Sequence, residues 1–95
     1  MKRVLKHPLQ TVDSQDLVLY ADSKILSVMN QNEGIVLYAL EEDCVRGIER
    51  YKVIIHGTGY KANDTDGCDF IGTVSLHGGA LMFHVFVKKV TARQI

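Results

Sequence analysis

The sequence predicts an all-β, mainly antiparallel fold, a small sandwich or barrel of about seven short strands with at most one short helical turn. Three observations carry this. Runs rich in Val, Ile, Leu, Tyr and Phe follow one another along the chain. Gly, Asn and Asp interrupt them at short intervals, and no segment keeps up a helical period.

The first run, Arg3 to Gln10, contains Pro8, the sole proline, whose missing N–H confines it to a sheet edge or a strand end. Asp16 to Ala21 and Lys24 to Asn30 follow. Asn30-Gln31-Asn32-Glu33-Gly34 then joins two apolar runs, and because Asn and Gly tolerate positive φ it reads as a hairpin connection. The strand after it, Gly34 to Leu40, is apolar on both faces, with Ile35, Leu37 and Ala39 on one and Val36, Tyr38 and Leu40 on the other. Such a strand needs cover on both sides. Glu41 to Arg50 gathers charged residues around Cys44, Val45 and Ile48, which suits a solvated loop or one helical turn. Tyr51 to Gly57 resumes the strand pattern. Gly57 to Asp69 is the most polar and glycine-rich stretch and is expected as the longest exposed loop. Phe70 to Leu76, a turn at His77-Gly78-Gly79, and the doubly apolar Ala80 to Val87 complete the series.

A chain of 95 residues has room for one core, so residues 1–95 are read as a single domain. Hydrophobic residues make up 46% and charged residues 23%, enough apolar side chain to offset the entropy of ordering the backbone. Lys plus Arg number 11 and so do Asp plus Glu, which removes the electrostatic reason to expect nucleic acid or an anionic membrane as partner. The basic residues near the termini, Lys2, Arg3 and Lys6 at one end and Lys88, Lys89 and Arg93 at the other, would form a local basic edge if the ends pair in space, but are read first as solvated ends. No run reaches the length of a membrane helix and no signal peptide is visible, so a cytoplasmic location is expected. Cys44 and Cys68 are then expected as reduced thiols, without the spacing of a zinc site. Two doubly apolar strands exceed what a single two-layer core covers, which predicts a homo-oligomer, a dimer first.

The candidate site is His56-Gly57-Thr58-Gly59-Tyr60-Lys61. Two glycines let backbone N–H groups approach a ligand, while His56, Tyr60 and Lys61 offer a hydrogen bond, a stacking ring and a positive charge. His77 joins the set if its strand and that of His56 are neighbours. The segment lacks the following helix of a Walker or dinucleotide loop. Asp64, Asp66 and Asp69 crowd into the same loop without the spacing of a twelve-residue calcium loop, and His7, His56, His77 and His84 show no metal spacing. His84, between Phe83 and Val85, reads as a structural histidine whose nitrogens are satisfied by backbone. No catalytic constellation, cofactor or metal is assigned.

The stretch from Gly59 to Phe86, with Gly72-Thr73-Val74, Gly78-Gly79-Ala80-Leu81 and Phe83-His84-Val85-Phe86, together with Lys24-Ile25-Leu26-Ser27-Val28 and His7-Pro8-Leu9, resembles a family of small uncharacterised proteins encoded by bacteriophages and prophages. The resemblance covers most of the chain and brings no activity with it. It implies an accessory protein working in the cytoplasm of an infected bacterium. By analogy such a protein binds a host factor, an anti-defence role being one such task, or sequesters a small signal.

Three functions are therefore expected in order. The first is a non-catalytic protein that binds a host protein through an exposed sheet face or the Gly57 to Asp69 loop. The second is an oligomeric sponge for a nucleotide signal, with Tyr60 stacking on the base and Lys61 and His56 on phosphate. The third is a metal-dependent hydrolase using the histidines or the acidic loop.

Overall fold

In a computed structural model of the chain, residues 1–42 and 47–90 are described. They form β1 (Lys2–Leu9), β2 (Ser14–Tyr20), β3 (Lys24–Gln31), β4 (Gly34–Glu42), β5 (Ile48–Gly57), β6 (Asp69–Leu76) and β7 (Leu81–Val90), with short 3-10 turns at Asn63–Thr65 and His77–Gly79. All pairings are antiparallel. One sheet has the order β1-β4-β3 and the other β2-β5-β7-β6, so the fold is an open sandwich and not a closed barrel. Among the described residues no helix is long and apolar enough to cross a membrane.

The hairpin at residues 30–34 forms as its composition predicts. Asn32 and Glu33 adopt φ of 56° and 62°, the two-residue turn whose twist suits the strands it joins, and Glu33 N–H donates to Asn30 Oδ1 at 3.0 Å. The turn after β6 puts His77, Gly78 and Gly79 at positive φ in succession.

The expected loop or helical turn from Glu41 to Arg50 is corrected at both ends. Glu41 and Glu42 extend β4, and Ile48 to Arg50 begin β5, while residues 43–46, Cys44 among them, lie outside the described residues. The strands run on because their carboxylates are satisfied. Glu41 points inward, 2% exposed, and receives the Tyr20 N–H at 3.1 Å, while Glu49 receives Lys89 Nζ at 3.1 Å.

Period-two alternation places Leu17 and Leu19 of β2, Ile35, Leu37 and Ala39 of β4, Val53 and Ile55 of β5, Val74 and Leu76 of β6, and Val85 and Val87 of β7 in one core between the sheets. Each fully buried aliphatic side chain of this kind contributes about 1.5–3 kcal/mol. One flank closes where β3 meets β6. Asn30 Nδ2 donates to the Ser75 carbonyl at 2.8 Å, and His77 N–H donates to Glu33 Oε1 at 2.7 Å. Here Gly72 stands beside Val28 so closely that a Cβ on it would lie 3.1 Å from Val28 Cγ2.

The two doubly apolar strands find partial cover within the chain. On the outer face of β4, Val36 is 6% exposed, next to Tyr38, whose hydroxyl donates to Gln31 Oε1 at 2.5 Å and so lies along the strand. Val4, Leu26 and Met29 on the neighbouring strands stay exposed. The outer face of β7 is covered differently, by the segment that forms the candidate site.

Candidate functional site

β5 and β6 lie on opposite sides of β7, with Gly57 opposite Phe83 and Asp69 opposite Val87. The connection between them must therefore cross β7, and with the core occupying one face of the sheet it crosses the other. The expected exposed loop is in this way a cover. Ile54 and His56, both on the outer face of β5, are buried.

The loop is shaped by its own turns. Thr65 N–H donates to the Ala62 carbonyl at 3.1 Å, its hydroxyl to the same oxygen at 2.6 Å, and Cys68 N–H to the Thr65 carbonyl at 2.9 Å. This turn carries Asp64 back over the sheet, where its Oδ1 stands 2.7 Å from His56 Nε2. His56 Nδ1 is buried with no hydrogen-bond partner among the described residues.

His84 lies directly opposite His56 on one side and Thr73 on the other. Its Nε2 is 2.8 Å from Thr58 Oγ1 and its Nδ1 is 2.9 Å from Thr73 Oγ1. A neutral imidazole has one N–H and one lone pair, so one hydroxyl accepts and the other donates. The nitrogens are thus satisfied by two threonine side chains, where backbone partners were expected. The reason is that an outer-face side chain in a central strand reaches its cross-strand neighbours more readily than their already paired backbone.

Two clefts border the start of the loop. The first, about 280 Å³, is lined by Gly57, Thr58 and Tyr60 from the loop and by Ala80, Leu81, Met82 and Phe83 from the β6–β7 turn and β7. Its rim is apolar and open, with Tyr60 72% exposed, Leu81 43% and Met82 39%. The second is shallower and is lined by Asp13, His56, Lys61, Asn63 and Asp64.

The predicted site residues are thereby divided. Gly57, Thr58 and Tyr60 share the apolar cleft, His56 and Lys61 share the polar one, and Gly59 links them at φ 90°. His77 lines neither cleft. β7 separates its strand from that of His56, and its Nδ1 lies 3.6 Å from Glu33 Oε1 instead.

Sequence reasoning missed Asp13 and the Leu81–Met82–Phe83 wall, and it read Asp64 as part of an acidic turn without bringing it to the polar cleft that Lys61 and Asp13 also line. Met82 gave a signal: it is an apolar residue on the strand face that also carries His84. Asp64 and Asp69 do not converge, since Asp69 lines a separate cleft with Lys24 and Lys89. Among the described residues no group of three or more His, Cys, Asp or Glu could hold a metal ion.

Comparison with known proteins yields no match among curated proteins and none among solved structures. The whole chain, residues 1–95, matches a family model, and the protein belongs to the family described as a domain of unknown function, DUF7352.

Proposed function

We propose that this protein is a non-catalytic binding protein of the phage-accessory kind, which works in the bacterial cytoplasm and holds a protein partner by an apolar side chain seated in the cleft between Tyr60 and Met82. The observation that carries the reading is the exposure of Tyr60, Leu81 and Met82 around one cleft of about 280 Å³. Aromatic and methionine side chains ringing a concave apolar site are the composition of a binding hot spot. The accessory role rests on the resemblance to phage proteins.

A nucleotide-signal sponge is the second reading, favoured by the neighbouring Lys61 and His56. It is the weaker one because Asp13 and Asp64 line that same cleft and Asp64 already occupies His56 Nε2, so a phosphate there meets two carboxylates.

The test places a photo-crosslinking residue at Tyr60 or at Met82, and as a control at Val4 on the opposite sheet, in protein expressed in a bacterial host. A single defined adduct at the two cleft positions, absent at Val4 and competed by unlabelled protein but not by the Tyr60→Ala, Met82→Ala double variant, supports the reading. Adducts spread equally over all three positions, or consisting of a second copy of the chain, overturn it.

A further inference from the structure

The net charge of zero conceals how the charges are placed. Several carboxylates sit in turns, among them Asp22, Glu33 and Asp64, whereas the outer face of the four-stranded sheet gathers cations at the end remote from the clefts. Lys52 lies directly opposite Lys88 in the β5–β7 pair, and Arg50 stands in the next row opposite Val90. All three are exposed, and none forms an ion pair among the described residues. Among the described residues the only carboxylate aligned with this row is Asp16, directly opposite Lys52 on β2, so Lys88 faces a cation and no carboxylate in the β5–β7 pair. Like charges directly opposed on neighbouring strands are destabilising, so this arrangement favours an anion over the pair.

The row beside the lysines supplies the complementary group. Phe70 is opposite Phe86, with ring centroids 5.3 Å apart and planes tilted by 58°. Phe70 is 57% exposed while Phe86 is half-buried, so one ring holds the other as a preset platform.

We propose that this face binds single-stranded nucleic acid, with a base stacked on Phe70 and backbone phosphates over Lys52, Lys88 and Arg50. A duplex hides the base faces that an exposed ring would stack on, and an acidic peptide has no use for the ring. The combination of a sheet-borne aromatic and a basic row is the chemistry of single-strand binding. The inference is independent of the cleft and uses none of its residues.

The experiment is fluorescence anisotropy of a labelled oligothymidine and of the matching oligouridine with the full chain, at low and at raised salt. Binding that weakens with salt is expected. Phe70→Ala and Phe70→Leu should each reduce affinity at least about fivefold with the salt slope kept. Lys52→Ala and Lys88→Ala should each lower that slope by about one. Lys88→Ala removes a repulsion, Lys52→Ala exchanges that gain for the loss of the facing Asp16, and both positions are exposed, so melting curves should show the fold retained. Tyr60→Ala should leave binding unchanged, which keeps this test separate from that of the cleft. Absence of binding by the folded wild-type chain at low salt overturns the proposal. So does binding that survives both Phe70 variants, or displacement by polyglutamate as efficient as by unlabelled oligonucleotide, which would mark an acidic protein surface as the partner.

Discussion

His7 Nε2 donates to Glu41 Oε2 at 2.6 Å, and the same carboxylate receives the Tyr20 N–H through Oε1 at 3.1 Å. One buried acid thereby joins β1 and β4 of one sheet to the edge strand β2 of the other. Removing it strands a backbone donor and an imidazole at once, so Glu41→Ala is expected to cost about 1–3 kcal/mol, with Glu41→Gln costing less because an amide oxygen still accepts one bond. Urea denaturation of the two variants checks the order, and equal midpoints for wild type and Glu41→Ala would remove the carboxylate from the junction.

Gly72 and Val28 form a second coupled pair. A methyl group on Gly72 meets Val28 Cγ2 at 3.1 Å, so Gly72→Ala is expected to destabilise by about 1–3 kcal/mol through overpacking. Val28→Ala leaves space at the same place. The double variant should then be less destabilised than the sum of the two singles, by at least about 0.5 kcal/mol. Additive effects in a thermal double-mutant cycle would mean that the two strands move apart independently of this contact.

Tyr51 ties stability to pH at the alkaline end. Burial is the main cause that pushes its phenol from 10.0 up to about 12, helped by the Glu49 carboxylate, which accepts its hydroxyl at 3.1 Å. Above pH 10 the unfolded chain loses this proton while the folded chain keeps it until about 12, so stability should fall through that window. Tyr51→Phe should remove that part of the loss. Tyrosinate absorbance of the native protein, compared with the variant, reads the late-titrating phenol directly.

At the acidic end Glu49 acts in the opposite sense. Burial pushes its carboxyl up, but Lys89, the Asp22 backbone N–H and the Tyr51 hydroxyl together hold it below the usual 4.5. Its contribution is present above that value and disappears as the pH falls through the depressed one. Glu49→Gln should accordingly flatten the loss of thermal stability below about pH 4.5. An acid limb unchanged in the variant would assign the effect to other carboxylates.

Asp64→Asn should loosen the loop without unfolding the sheet. The aspartate is half-exposed and holds a buried histidine whose other nitrogen has no partner among the described residues, so the expected cost is about 1 kcal/mol. Hydrogen exchange should quicken over residues 58–68 and stay unchanged in β7. Slow exchange throughout the loop would show that its turns hold it without His56.

The strands were legible because alternation is local. Ile35, Leu37 and Ala39 announce an inward face, and Asn32 a turn, with no knowledge of the rest of the chain. Glu41 was not legible, since a glutamate after a strand ordinarily marks its end, and only the arrival of Tyr20 and His7 from distant segments makes an inward carboxylate stable. The site was legible in composition and not in arrangement. The segment from His56 to Lys61 reads as one ligand loop, but crossing β7 turns Tyr60 to an apolar cleft and His56 to Asp64. The facing of Lys52 and Lys88 was not legible either, because net charge says nothing of which strands are neighbours.

The position of β7 between β5 and β6 also governs how the molecule is made. On a ribosome, β5 and β6 emerge before the strand that must lie between them, and neither is the other's ladder partner. The larger sheet is completed only when its last ten residues, Leu81–Val90, have left the exit tunnel. Until then one rim of β5 stands open to any extended chain nearby, and a product cut short after Ala80 would release β6 with no strand to bind. The sheet that holds β5 is protected along that rim only once β7 has been made.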